Sequence, residues 1–125
     1  MLPMACYKER SIMNSRYSVY RDSLVVHLDK ELDHHQAEII RNDTKEYIEY
    51  CQIKNIIFDF CNTTFMDSSG IGLIMGRYKV LSETGGRVYA VEVNESVKRI
   101  FRMSGLFKIV EVFDNLDELI CMQRI

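Results

Sequence analysis

Apolar and polar positions change their period along the chain, and each change predicts an element. Tyr17 to Tyr20 and Ser23 to Leu28 predict two short strands joined by a tight turn at Arg21-Asp22. Leu24, Val25 and Val26 form an unbroken apolar, β-branched run suited to a buried strand. Beyond Asp33 the period lengthens. Ala37, Ile40, Thr44, Tyr47, Ile48 and Cys51 recur at helical spacing, with Glu38, Arg41, Lys45 and Glu49 opposite them. Asp33 is placed to cap that helix, with Gln36 as its capping-box partner. Asn55 to Phe60 is the strongest strand signal and predicts a central position.

Further along, a helix is expected from about Ser69 to Glu83, ended by Gly85-Gly86. Arg87 to Val91 predicts a strand. Asn94 or Ser96 opens a third helix with Val97, Ile100 and Phe101 facing inward and Gly105 closing it. Ile109 to Phe113 predicts the last strand, and Leu116 to Met122 a short terminal helix. Two strands followed by alternating helices and strands imply an α/β fold. The expected sheet is mixed, mostly parallel with one antiparallel hairpin at the N-terminal side, and packed with about four helices.

The chain has 125 residues, enough for one domain with a sizeable core. Residues 1–14 read as a loose N-terminal extension and residues 15–125 as a single domain, with no repeat, linker or low-complexity tract. Leu2-Pro3-Met4-Ala5-Cys6 faintly resembles a lipoprotein cleavage site, but no apolar stretch precedes it, and Met13 is an alternative start.

The hydrophobic share of 47%, charged share of 27% and net charge of −2 describe a soluble protein without the clustered basic stripe that nucleic acid demands. No apolar run approaches the roughly 18 residues of a membrane span. The four cysteines form no C-x-x-C pair. Cys51, Cys61 and Cys121 read as small apolar residues in a reducing cytoplasm, and no disulfide framework is expected.

Functional groups of parallel sheets collect beyond the carboxyl ends of the strands. After the strongest strand comes Cys61-Asn62-Thr63-Thr64-Phe65-Met66-Asp67-Ser68-Ser69-Gly70-Ile71-Gly72. Two hydroxyls stand at a helix mouth beside a carboxylate. The free N–H groups and positive dipole end of that helix are expected to receive a phosphate on Ser68. Gly70 and Gly72 are expected to leave room for another protein to approach the backbone. The plain alternative is that Asp67-Ser68-Ser69-Gly70 is only a cap and a turn, and that Gly72 and Gly76 serve close helix–sheet packing.

Other chemistry fits less well. Gly70-x-Gly72-x-x-x-Gly76 misses the dinucleotide spacing by one residue, and no P-loop is present. Ser68 and Ser69 lack the preceding glycine of a nucleophile elbow, though a small enzyme using Ser68 as nucleophile stays a rival reading. His34 and His35 are neighbours that point apart on a helix, so they make a poor metal pair and read as a solvated helix start. Lys98, Arg99 and Arg102 read as a solvated face. Leu73, Met75 and Val80 make the second helix apolar on several sides, and any part exposed near Ser68 is a docking candidate.

Three stretches carry a family resemblance: Glu31-Leu32-Asp33-His34-His35-x-Ala37-Glu38; Phe65 to Gly72, continuing through Gly76-Arg77-Tyr78-Lys79; and Val97-Lys98-Arg99-x-Phe101-x-Met103-Ser104-Gly105-Leu106-Phe107-Lys108-Ile109. Over about Tyr17 to Phe113 the chain resembles the STAS domain family, and within it the sporulation anti-sigma factor antagonists. The resemblance implies a regulator and not an enzyme. Its unmodified form would bind an anti-sigma factor serine kinase and free a sporulation sigma factor. The kinase would phosphorylate Ser68 and a protein serine phosphatase would restore the active form.

It further implies partner contacts at Asp33, Asp67, Ser68, Ser69, Gly70 and Gly72. No cofactor belongs to the chain itself, because the nucleotide is held by the kinase. The expected state is a cytoplasmic monomer with no metal, nucleic acid or membrane partner. A STAS regulator of another pathway, such as a stress-response sigma factor or a signalling complex, is the alternative. Lys30 stands where the sporulation branch has a glycine, which bears on the geometry near Asp33.

Overall fold

A computed structural model describes residues 16–123. The elements run β1 (Tyr17–Tyr20), β2 (Ser23–His27), β3 (Glu31–Leu32), α1 (His34–Tyr50), β4 (Asn55–Asp59), β5 (Phe65–Met66), α2 (Ser68–Ser82), β6 (Val88–Val91), α3 (Glu95–Ser104), β7 (Val110–Phe113) and α4 (Leu116–Gln123), with a 3-10 turn at Leu106–Lys108. The readings of residues 1–14, including Cys6 and Met13, lie outside the described residues.

The principal sheet has five strands in the order β1-β2-β4-β6-β7, so β4 is central, as its apolar β-branched sequence predicts. β1 and β2 form the antiparallel hairpin, and the remaining pairs are parallel. One face carries Leu24, Val26, Ile56, Phe58, Val88, Ala90 and Val110 against the buried sides of the first three helices. The other face carries Val25, Ile57, Tyr89 and Val91, covered by Leu119 of α4. The period of two along each strand assigns alternate residues to these two cores.

A second sheet of two residues per strand pairs β3 with β5 in parallel, Glu31 with Phe65 and Leu32 with Met66. Strands this short carry no readable alternation, and the chain pattern did not predict them. They bring the openings of α1 and α2 together.

The third helix behaves as expected at both ends. Asn94 Oδ1 accepts the Val97 N–H at 3.0 Å, and Gly105 ends the helix in the left-handed region at φ 81°. Lys30 needs no such conformation: among the described residues, the non-glycine residues with positive φ are Arg21, Gln52 and Glu92. Its carbonyl accepts the Thr64 N–H at 2.9 Å, so an ordinary turn serves where a glycine was expected.

The cysteines need correction. Cys61 and Cys121 are exposed thiols, because the chain turns outward after β4 and Cys121 lies on the outer side of α4. Cys51 is buried as expected but disulfide-bonded, not a plain thiol. Among the described residues, no helix is long and apolar enough to cross a membrane.

Candidate functional site

Two helices open side by side at the carboxyl edge of the sheet. Asp33 follows the paired Leu32, and Asp67 follows its partner Met66. Each aspartate then caps the helix it precedes. Asp33 Oδ1 accepts the Gln36 N–H at 3.0 Å. Asp67 Oδ1 accepts the Ser69 N–H at 2.8 Å and the Gly70 N–H at 3.3 Å. Such side-chain acceptors satisfy donors that a helix start otherwise leaves free. Only half of the expected capping box forms, since Gln36 Oε1 is buried without a partner and does not return to the Asp33 N–H.

Asp67 changes the expectation for Ser68. The N–H groups of Ser69 and Gly70 are already engaged by its carboxylate. A phosphate on Ser68 therefore finds these two donors occupied and meets a negative neighbour. Ser68 itself is exposed, so its hydroxyl lies open to a second protein.

The glycines divide by role. Gly70 is buried, and a Cβ there would lie 2.9 Å from both Leu32 Cγ and Leu32 O. Its missing side chain admits a strand of its own chain, which corrects the expectation that it makes room for a partner. A Cβ on Gly72 or on Gly76 would meet nothing within 4 Å. Close helix–sheet packing therefore explains neither of them. Gly72 is exposed one turn from Met75, which is 39% exposed, and Val80, further along the helix, is 38% exposed, whereas Leu73 is fully buried. Ser68, Gly72, Met75 and Lys79 follow helical spacing and form an outward stripe on α2.

The loop before this helix is held from several sides. Thr63 Oγ1 donates to Asp29 O at 2.7 Å, and Asn94 Nδ2 donates to Thr63 O at 2.8 Å. At its root, Asp59 Oδ1 accepts the Cys61 N–H at 2.9 Å while Oδ2 lies 2.8 Å from His27 Nδ1. The His27 hydrogen bond, helped by the Cys61 N–H, holds the Asp59 carboxyl below the usual range against the opposing effect of burial.

Ser18 Oγ lies 2.9 Å from His27 Nε2, which aligns a hydroxyl, an imidazole and a carboxylate across the sheet. The arrangement reads as a brace for the loop.

Two features escaped the chain pattern. His34 Nδ1 is 3.3 Å from Ser69 Oγ, so this histidine does more than solvate a helix start. Arg77 is half-buried, and burial together with the nearby Arg41 lowers the pKa of its guanidinium. A sequence signal for the first existed: Glu31-Leu32-Asp33-His34-His35 and Phe65-Met66-Asp67-Ser68-Ser69 share one strand–aspartate–helix layout. Lys98 and Arg102 face Glu95 at 4.0 and 3.9 Å, in keeping with a solvated face.

Comparison with known proteins places this geometry. The STAS domain model matches residues 14–119. The chain belongs to the STAS domain family. An anti-sigma F factor antagonist from Paenibacillus polymyxa is 44% identical over 96 residues, covering 77% of this chain and 82% of that protein. The solved anti-sigma factor antagonist SpoIIAA in its unphosphorylated form is 30% identical with a TM-score of 0.69, over 84% of this chain and 91% of that one. The Bacillus cell-fate determinant SpoIIAA in its phosphorylated form is 34% identical with a TM-score of 0.68, over 83% and 93% of the two chains. The mixed sheet with one antiparallel hairpin matches the STAS fold of these structures.

Proposed function

We propose that this chain is an anti-sigma factor antagonist that works by partner switching in the cytoplasm and performs no catalysis of its own. In its unmodified form it docks on a kinase-type anti-sigma factor and releases the sporulation sigma factor. The kinase then transfers phosphate to Ser68, docking is lost, and a serine phosphatase resets the cycle. The nucleotide belongs to the kinase. The docking face is the opening of α2 with Asp33 and Ser69 beside it, continued along the outward stripe of Gly72 and Met75.

One observation carries this reading. Ser68 is exposed at the mouth of α2, and Asp67 has already engaged the N–H groups of Ser69 and Gly70. A phosphate there adds about −1.5 to −2 charges to an acidic surface without a prepared cradle of these donors. The added charge and bulk face outward, where they weaken a contact with a second protein and leave the core untouched. The exposed glycine at 72, which the fold does not require, points the same way.

The test is incubation with the anti-sigma kinase of the same organism and ATP, followed by mapping of the modified residue and measurement of binding. Phosphate should appear on Ser68. Ser68→Ala should bind the kinase and remain unmodified, and Ser68→Asp should bind poorly. Tight binding by Ser68→Asp, or modification elsewhere, would sink the scheme.

A further inference from the structure

His34 opens α1 at the level where Ser68 opens α2, because the Leu32–Met66 register puts Asp33 and Asp67 in step. Its ring faces the second helix: Nδ1 is 3.3 Å from Ser69 Oγ, while Nε2 is 3.6 Å from Glu38 Oε2. The side chain is 78% exposed and so has room to turn.

The surroundings are acidic. Glu38 comes from the same helix, Asp33 from its cap, Glu31 from β3 and Asp67 from the opening of α2. Next to these helix openings in sequence, the side chains able to carry positive charge are Lys30, His34 and His35, all exposed. Of these, His34 is the group with a hydrogen-bond contact to the serine pair. A phosphate on Ser68 would meet carboxylates in its own helix opening and this one imidazole across from it.

We propose that His34 is the counter-charge for the phosphate on Ser68: its ring bonds the Ser69 hydroxyl in the unmodified protein and turns to the phosphate as an imidazolium in the modified one. The proposal rests on Ser68 being the modified residue. A phosphoserine carries about −1.5 to −2 charges at neutral pH, so an imidazole brought beside it gains a strong anionic partner. Each favours the charged form of the other when they approach. His34 thereby offsets the repulsion that Asp67 exerts on the phosphate, and the modified domain keeps its fold while its outer surface changes charge.

The experiment uses the full chain with phosphoserine inserted at position 68 during translation, so that no kinase is involved. The titration midpoints of His34 and His35 are followed by NMR in the modified and unmodified proteins, with the phosphorus midpoint read in parallel. The His34 midpoint should rise by about one pH unit on modification, and that of His35 by clearly less. In modified His34→Asn, the phosphorus midpoint should move up toward that of a free phosphoserine peptide, with the circular dichroism spectrum unchanged. A His34 midpoint indifferent to the phosphate, or a phosphorus midpoint indifferent to His34→Asn, overturns the proposal and leaves the kinase reading standing. Failure of the kinase to modify Ser68 overturns that reading and leaves the titration result intact.

Discussion

Leu32 and Gly70 meet so closely that the second residue has no room for a side chain: an added Cβ would lie 2.9 Å from both Leu32 Cγ and Leu32 O. Leu32 is the last residue of β3, and Gly70 lies in the first turn of α2. The contact locks the two helix openings together and so sets where Ser68 stands relative to Asp33. Backbone atoms cannot yield as a flexible side-chain tip does. Gly70→Ala should therefore destabilise the protein by about 1–3 kcal/mol, as overpacking of a tight interior does. The midpoint of urea unfolding checks this.

Gly72→Ala should behave in the opposite way. Its added methyl meets nothing, and alanine is favoured over glycine inside a helix by about 0.5–1 kcal/mol. The variant should unfold at higher urea. If the outward stripe of α2 is the docking face, the same variant should bind the anti-sigma kinase more weakly than the parent. A Gly72→Ala protein that is more stable and binds unchanged would remove this stripe from the interface.

Asp67 holds two N–H groups of α2 with one carboxylate oxygen. Asp67→Ala should cost about 0.5–2 kcal/mol, the usual loss of a helix cap. Asp67→Asn keeps an acceptor oxygen and should cost less. It also removes the negative charge nearest Ser68. In Asp67→Asn, phosphoserine at 68 should therefore lower the thermal midpoint less than it does in the parent. Thermal unfolding of the four proteins, two backgrounds with and without phosphate, measures the coupling directly.

The long elements and the serine loop were legible because their signals are local. α1 shows its buried face as Ala37, Ile40, Thr44 and Tyr47, and β4 shows an unbroken apolar run. Asp33 announces its helix start by residue type and caps as expected, Asn94 is the one of its two candidates (Asn94 or Ser96) that caps, and Asp67 caps as the plain alternative reading of its motif had it. What escaped was set by distant partners. The two-residue strands β3 and β5 are too short for a period. Gly70 looks like any turn glycine until Leu32 is seen against it. The His34–Ser69 contact depends on the register of those same strands. Cys61 lies one residue past the buried Phe60, and only the turn out of the sheet exposes it.

Acid should test the brace beneath the serine loop. Asp59 joins His27 on β2 to the Cys61 N–H, and these hydrogen bonds hold its carboxyl below the value near ~3.9 that it has in an unfolded chain. A carboxyl lowered on folding stabilises the ionised native state. That contribution is whole above the unfolded value, declines as pH falls past it, and is gone once pH lies below the folded value. Asp59→Asn removes the ionisable group and keeps an acceptor for the Cys61 N–H. The parent should therefore exceed Asp59→Asn in urea midpoint at about pH 6, and the gap should close progressively toward about pH 2–3. A gap that stays constant with pH would mean that the carboxylate's charge contributes nothing here, leaving shape alone to hold the loop. A gap that widens in acid would reverse the sign of the coupling and with it the assignment of Asp59 as the ionised partner of His27.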